Sequence, residues 1–173
     1  MSRGLLALLI VLCLASTAFS PLYACGDKFL VNSRGVKQSL VYAAPHPGSV
    51  LLFRNADSKL AKSLLNEELQ RDLMRAGHEV HVVGSATELS EALEYGTFDV
   101  VIGDIADVGA LETALQSLAV KPLLMPVMGK VSKEDIKKAE GQYGRVLKAS
   151  HRSSTIILLV NDMVDKAKKA AKA

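Results

Sequence analysis

Residues 98–107 read Phe-Asp-Val-Val-Ile-Gly-Asp-Ile-Ala-Asp, and this stretch indicates the class of fold. Residues 100–102 form a continuous apolar, β-branched run, which is typical of a strand buried on both faces of a parallel sheet. The run ends at Gly103, and the carboxylate of Asp104 follows at once. Because functional groups collect at the carboxyl ends of strands in open parallel sheets, Asp104 is a candidate site residue. The alternative is an aspartate that only caps a helix or lies in a loop.

The same kind of run recurs along the chain and alternates with apolar residues at helical spacing. Strands are predicted at 50–53, 80–83, 98–104, 122–128 and 145–148, and helices at 60–74, 87–93 and 111–118, from Ser132, and from a cap at Ser153 or Ser154. Five strands that alternate with five helices predict an α/β fold with a doubly wound, five-stranded parallel sheet. The expected strand order is the flavodoxin-like 2-1-3-4-5, with its crevice over strands 1 and 3.

The composition limits the class of protein. The 173 residues suffice for one domain but not for two ordinary ones. Aromatic residues make up only 5% and Trp is absent, which argues against a base-stacking surface. The net charge of +3 comes from basic residues interleaved with acidic ones, so no nucleic-acid partner is expected.

The N-terminal region differs from the remainder of the chain. Arg3 is the only charged residue before a nearly continuous apolar stretch at 5–19, which predicts a secretory signal peptide over residues 1–24. The alternative is a retained N-terminal anchor. Residues 25–48 are expected to form a lead or tether, and residues 49–173 the folded domain. The protein is therefore expected to be exported.

The two cysteines bear on the same question. Cys13 lies within the expected signal peptide, so Cys25 would be the one thiol of the mature chain, without an internal disulfide partner. Residues 22–25, Leu-Tyr-Ala-Cys, resemble the lipobox of bacterial lipoproteins. The resemblance implies a lipid on Cys25 that attaches the protein to the membrane, in the bacterial periplasm or cell envelope. The alternative is a plain cleavage without lipidation.

The ends of the predicted strands bring polar residues to one edge of the sheet. These ends are Arg54 and Asn55 after strand 1, Asp104 after strand 3, Val127 in strand 4 and Lys148 in strand 5. Over roughly residues 49–170, the chain resembles the receiver domain of two-component response regulators. The resemblance is carried by residues 99–104 (Asp-Val-Val-Ile-Gly-Asp), 145–148 (Arg-Val-Leu-Lys), 122–125 (Pro-Leu-Leu-Met) and 75–80 (Arg-Ala-Gly-His-Glu-Val). It implies that Asp104 is the phosphoacceptor equivalent and that Lys148 is its lysine partner.

The chain departs from the receiver pattern at the other site positions. Arg54 and Asn55 stand where the family has an acidic pair that binds Mg²⁺, and Val127 stands where it has a hydroxyl residue. Mg²⁺ prefers carboxylate oxygens, and Arg54 would repel it, so no cofactor is expected. Asp57 is either a weak substitute ligand beside Asp104 or, more simply, the cap of the following helix.

The departures suggest a different use of the crevice. A buried carboxylate needs a partner, so Arg54 and Lys148 are expected to form ion pairs with Asp104 in place of a metal. This predicts an exported pseudo-receiver that acts by protein–protein contact and is not an enzyme. One alternative is a genuine receiver that uses Mg²⁺ and is phosphorylated on Asp104; another is a small exported flavodoxin-like enzyme or ligand-binding protein. The ion pairs could also be purely structural.

The receiver resemblance also implies a partner surface formed by helix 4, strand 5 and helix 5. Its polar residues in this chain would be Lys133, Lys137, Lys138, Gln142, Tyr143, Arg145 and Arg152.

No other motif in the sequence indicates a catalytic or metal-binding site. No Gly-rich phosphate loop is present. His78 and His81 are expected on opposite faces of a strand, which excludes a metal pair. A hydrolytic set could be formed by Ser150, His151 and Asp162, but the sequence has no nucleophile elbow to support it.

Overall fold

A computed structural model of the protein describes residues 43–171, and these residues form an α/β fold. Its five strands are all parallel and have the order 2-1-3-4-5, as the sequence predicted. The strands are β1 (Ser49–Phe53), β2 (Glu79–Val83), β3 (Val100–Asp104), β4 (Leu123–Met128) and β5 (Leu147–Lys148).

Helices cover both faces of the sheet. They are α1 (Lys59–Leu64), α2 (Glu67–Arg75), α3 (Ala86–Tyr95), α4 (Val108–Gln116), α5 (Lys133–Tyr143) and α6 (Ser153–Ala170), with a 3₁₀ turn at Ile105–Asp107. The core on one face joins the sheet to α1, α2 and α6. On the other face, α3 and α4 share one core and α5 packs over a smaller one.

Strand β3 lies in the middle of this arrangement. All five of its residues are buried, as expected for a strand covered by helices on both faces. Val100 and Ile102 belong to the core under α1, α2 and α6, while Val101 belongs to the core under α3 and α4. Because side chains alternate between faces, Asp104 is on the face of Val100 and Ile102.

The predicted helix over 60–74 is two helices, which corrects the sequence-based assignment. The backbone N–H of Leu65 bonds to the carbonyl of Ala61 at 2.8 Å and ends α1. The side chain of Asn66 then accepts a hydrogen bond from the N–H of Leu69 at 3.0 Å and caps α2. Leu65 and Leu69 stay in one core across the break, and this continuity concealed it in the apolar pattern.

Two further boundaries differ from the prediction. Helix α6 begins at Ser153 itself, after Arg152, and has no side-chain cap, so neither Ser153 nor Ser154 caps it. Strand β5 has only two residues, because its ladder with β4 starts at the pair Val127 and Leu147. The residue before Val127 is Pro126, which has no N–H with which to extend this ladder.

The described part of the N-terminal lead packs against the domain. The N–H of Ala44 donates to the carbonyl of Ala76 at 2.7 Å, and the ring of exposed His46 lies 2.9 Å from the carboxylate of Asp165. The N–H of Gly48 donates to Nδ1 of the buried His78 at 3.3 Å. The expected signal peptide, Cys25 and the remainder of the lead lie outside the described residues. Within 43–171, no helix combines the length and the apolar character needed to cross a membrane.

Candidate functional site

The candidate site is built around Asp104, at the carboxyl end of β3. The residue is buried, with only 7% of its surface exposed. The hydroxyl of Ser58 donates a hydrogen bond to Oδ2, and the backbone N–H of Ala106 donates one to Oδ1 at 3.1 Å. Asp104 thereby caps the 3₁₀ turn that follows β3. Both of its oxygens are therefore used by groups of the fold itself.

Ser58 reaches Asp104 because the chain turns sharply after β1. Its backbone N–H bonds to the carbonyl of Asn55 at 3.1 Å, and its Oγ accepts a hydrogen bond from the N–H of Ala61 at 2.9 Å. The hydroxyl of Ser58 therefore caps α1 and donates to Asp104 at the same time. Since β1 and β3 are neighbours, the start of α1 lies beside the end of β3.

Asn55 is turned toward Asp107, three residues after Asp104. Its amide donates to Oδ1 of Asp107 at 2.7 Å, and its Oδ1 accepts the backbone N–H of Asp57 at 3.0 Å. The other oxygen of Asp107, Oδ2, is buried and has no hydrogen-bond partner among residues 43–171.

Asp57 does not cap the following helix, which corrects that expectation: its side chain is exposed and Ser58 provides the cap. Asp57 was also a weak candidate for a metal ligand beside Asp104. No group of three or more His, Cys, Asp or Glu residues suited to a metal occurs in the described part of the chain.

The predicted ion pairs of Asp104 with Arg54 and Lys148 are wrong. No pair between Asp104 and either basic residue lies within 4.0 Å, and the amine of Lys148 is instead 3.9 Å from a carboxylate oxygen of Glu140 on α5. Lys148 does not reach Asp104 because side chains alternate between the two faces along a strand. Asp104 is in register with Val127, whereas Lys148 is in register with Met128, one residue further, and therefore projects to the opposite face.

The structure nevertheless brings several of the predicted site residues to one edge of the sheet. Val127 is fully buried and is the register partner of Asp104 on β4. Half-buried Arg54 follows β1, where its backbone N–H bonds to the carbonyl of Val83 at 2.8 Å. Ser58 and Asp107 were not among the predicted site residues. A serine directly before a helical run is a cap signal, and it could have placed Ser58 beside the end of β3.

Several polar groups of the expected partner surface are already engaged. Arg145 donates to the carboxylate of Asp162 at 2.7 Å, and the amine of Lys166 lies 3.2 Å from the same carboxylate. Burial acts to raise the pKa of Asp162, but the hydrogen bonds and charges of these two cations outweigh it and hold the pKa below its usual value. The hydroxyl of Tyr143 donates to Glu112 at 3.1 Å, and burial together with this carboxylate raises the pKa of the phenol.

The remaining titratable groups do not assemble a hydrolytic triad. His151 accepts the backbone N–H of Lys148 at 3.3 Å, and burial and the charge of Lys148 lower the pKa of its ring. Asp162 is engaged with Arg145, not with His151. His78 is buried against Asn161, at 2.7 Å, whereas His81 is exposed and meets the ring of Phe98 edge-on.

Comparisons with known proteins support the fold only. No protein-family model matches the chain, and no curated protein matches it either. Among solved structures, one described as the yeast Spc42 trimeric coiled coil (amino acids 181–211) fused to another structure is similar. Its TM-score is 0.55 at 13% identity, and the match covers 72% of this chain and 82% of that chain. At this identity the likeness is one of fold alone.

Proposed function

We propose that this protein is a receiver-like interaction module that works by protein–protein contact and does not accept phosphate on Asp104. One observation carries the proposal: each oxygen of the Asp104 carboxylate already accepts a hydrogen bond, from Ser58 and from Ala106. The strand order and the position of Asp104 at the end of the central strand support the receiver-like class.

The chemistry of phosphoryl transfer explains why this observation matters. An acceptor carboxylate must present one oxygen to the phosphorus in line with the leaving oxygen, and a divalent cation must neutralise the charge that develops. Around Asp104, a serine hydroxyl occupies one oxygen, and the residues after β1 are a cation, Arg54, and an amide, Asn55. Asn55 is committed to Asp107. The carboxylates of this set are Asp104 and Asp107, and three of their four oxygens already accept hydrogen bonds, so the set is poor in free carboxylate oxygens of the kind that Mg²⁺ requires.

Incubation of the chain with acetyl phosphate and Mg²⁺, followed by intact-mass spectrometry, tests the acceptor chemistry. We expect no phosphate adduct beyond the level found in Asp104→Asn. An adduct on the wild type that Asp104→Asn lacks would establish the alternative, a genuine Mg²⁺-dependent receiver.

The surface proposed for the partner is formed by α5, β5 and α6, where it exposes the basic residues Lys133, Lys137, Lys138 and Arg152. Arg145 and Tyr143 contribute less, because Asp162 and Glu112 already bind them. Capture of a specific protein from the cell-envelope fraction should be lost in Lys137→Glu/Lys138→Glu. The matched variant Lys59→Glu/Lys62→Glu, on α1, should retain it. Equal capture by all three proteins would contradict this surface.

Export and lipid attachment through Cys25 are part of the same proposal and are supported by the sequence of residues 1–25. Fractionation of cells should place the protein in the envelope. Metabolic palmitate labelling should occur on the wild type and disappear in Cys25→Ser, and labelling that persists in the variant would contradict lipidation at this residue.

A further inference from the structure

A groove lies between α3 and α4, on the face of the sheet opposite to α1, α2 and α6. It has a volume of about 310 Å³ and is lined by Ser90, Leu93, Glu94, Ala114, Ser117 and Leu118. Five of them belong to the C-terminal halves of the two helices or to the residues directly after α4, and Ser90 lies at the middle of α3. Three of them are small, so a partner could approach the helix backbones closely.

The segment of chain that forms this groove carries charge of a single sign. No Lys or Arg occurs between Gly84 and Val120, a range that contains all of α3 and α4. Glu91 and Glu94 on α3 are exposed, and neither has an ion-pair partner within the described residues. The protein as a whole has a net charge of +3, so the negative charge is a local property of this segment.

The helix ends add to the negative potential. Neither α3 nor α4 has a basic residue in its last turn. The C-terminal end of a helix carries a partial negative charge from its free carbonyl groups, and a cation there is stabilising. In this chain no side chain of α3 or α4 supplies that cation.

Exposed apolar side chains flank the same region. Tyr95, the last residue of α3, is 85% exposed, and Val120, two residues after Leu118, is 71% exposed. These are the highest exposures among the large apolar residues of the described chain. Aromatic residues with a polar tip are enriched at protein interfaces.

From these observations, we infer that the groove between α3 and α4 is a docking site for a basic, amphipathic segment of another protein. Lys or Arg side chains of that segment would lie against Glu91, Glu94 and the two helix ends. Its apolar side chains would contact Tyr95, Leu93 and Leu118. This site is separate from the α5–β5–α6 surface.

The test uses the full chain and a fluorescein-labelled synthetic helical peptide of Lys, Leu and Ala, with the same peptide carrying Glu for Lys as its control. Fluorescence anisotropy should show that the Lys peptide binds and that the Glu peptide does not. Glu91→Lys/Glu94→Lys should raise the Kd for the Lys peptide by about tenfold or more. Tyr95→Ala, whose exposed side chain is not needed for the fold, should also weaken it. The matched variant Glu67→Lys/Glu68→Lys, on the other face, should bind as the wild type does.

The inference is overturned if the wild type fails to bind the Lys peptide or binds both peptides equally. It is also overturned if the α3 variants bind the Lys peptide as tightly as the wild type. Sedimentation velocity covers the remaining possibility. A wild-type dimer that Glu91→Lys/Glu94→Lys dissociates would show that the occupant is a second copy of this chain, whose α6 ends in Lys166, Lys168 and Lys169.

Discussion

At the scale of single residues, the carboxylate of Asp104 is stabilised by hydrogen bonds and not by an opposite charge. An ion pair away from water must recover the desolvation of two charged groups, which is often costly. A hydroxyl and a backbone N–H stabilise the carboxylate with one charged group fewer to desolvate. Ser58 supplies this hydroxyl while it caps α1, so one side chain satisfies two elements of the fold.

Ser58→Ala is expected to destabilise the protein measurably. The substitution removes a helix cap, at a cost of about 1 kcal/mol, and leaves Oδ2 of buried Asp104 without its donor, at a cost of about 1–3 kcal/mol. Urea unfolding should therefore show a loss of roughly 2–4 kcal/mol. The matched control is Ser63→Ala, because exposed Ser63 donates only to the carbonyl of Leu60. Equal stability of the two variants would contradict the role of Ser58.

The ion pairs of Asp162 are expected to contribute to the stability of the protein in a pH-dependent way. Its pKa in the folded protein lies below the ordinary value of 3.8 because Arg145 and Lys166 favour its charged form. The unfolded chain thus binds the proton more readily, so the contribution is complete above that ordinary value and is lost as the pH falls through the folded pKa. The carboxylate is 39% exposed, so solvent screening limits the effect.

Asp162→Asn should cost about 0.5 kcal/mol near neutral pH, as is typical of exposed ion pairs. The difference in the free energy of unfolding between wild type and variant should shrink as the pH is lowered below 3.8. Glu91→Gln, which removes a carboxylate with no ion-pair partner among residues 43–171, serves as the control. A difference that grows on acidification would contradict the sign of this pKa shift.

At the scale of secondary structure, the N-terminal end of β1 packs closely against α6 at Gly48. A Cβ added there would lie 2.4 Å from Cγ1 of Val164 on α6 and 2.7 Å from a carboxylate oxygen of Asp99. The same carboxylate oxygen accepts the N–H of Ser49 at 2.9 Å. The chain therefore enters β1 through a position where α6 leaves no room for a side chain.

Gly48→Ala should destabilise the protein by about 1–3 kcal/mol, because overpacking forces neighbouring atoms to shift. The contrasting change is Gly141→Ala in α5, where an added Cβ meets nothing within 4 Å. That variant should gain about 0.5–1 kcal/mol from helix propensity. Thermal unfolding of both proteins gives the comparison, and a neutral or stabilising Gly48→Ala would contradict the packing described for this end of β1.

The elements also show where sequence patterns succeed. The buried strands and the capping serine of α5 were predictable, because local periodicity and cap residues specify them: Ser132 does accept the N–H of Asp135, at 3.1 Å. The break between α1 and α2 at Asn66 was not predictable, since Leu65 and Leu69 keep the apolar spacing across it. A polar cap inside a continuing apolar pattern changes the helices without changing which residues are buried.

At the scale of the whole molecule, strand order could be predicted because short parallel connections allow few topologies. The site could be predicted only in part. The sequence placed Asp104 and Val127 at neighbouring strand ends, and the structure brings them into register. It could not determine the partners of Asp104, since a shift of one residue along β5 moves Lys148 to the other face of the sheet. Which residues share an edge follows from topology, but which side chains meet depends on register.

Whether Asp104 accepts a phosphoryl group is tested by an NMR titration of the wild-type protein with Mg²⁺ and then beryllofluoride, an analogue of the phosphoryl group. The amide of Ala106 reports on the site, because it donates to Oδ1 of Asp104. We predict that this resonance and that of Ala61, which reports on Ser58, stay unchanged through the titration. A saturable shift of the Ala106 amide that requires both Mg²⁺ and beryllofluoride, and that Asp104→Asn abolishes, would contradict it.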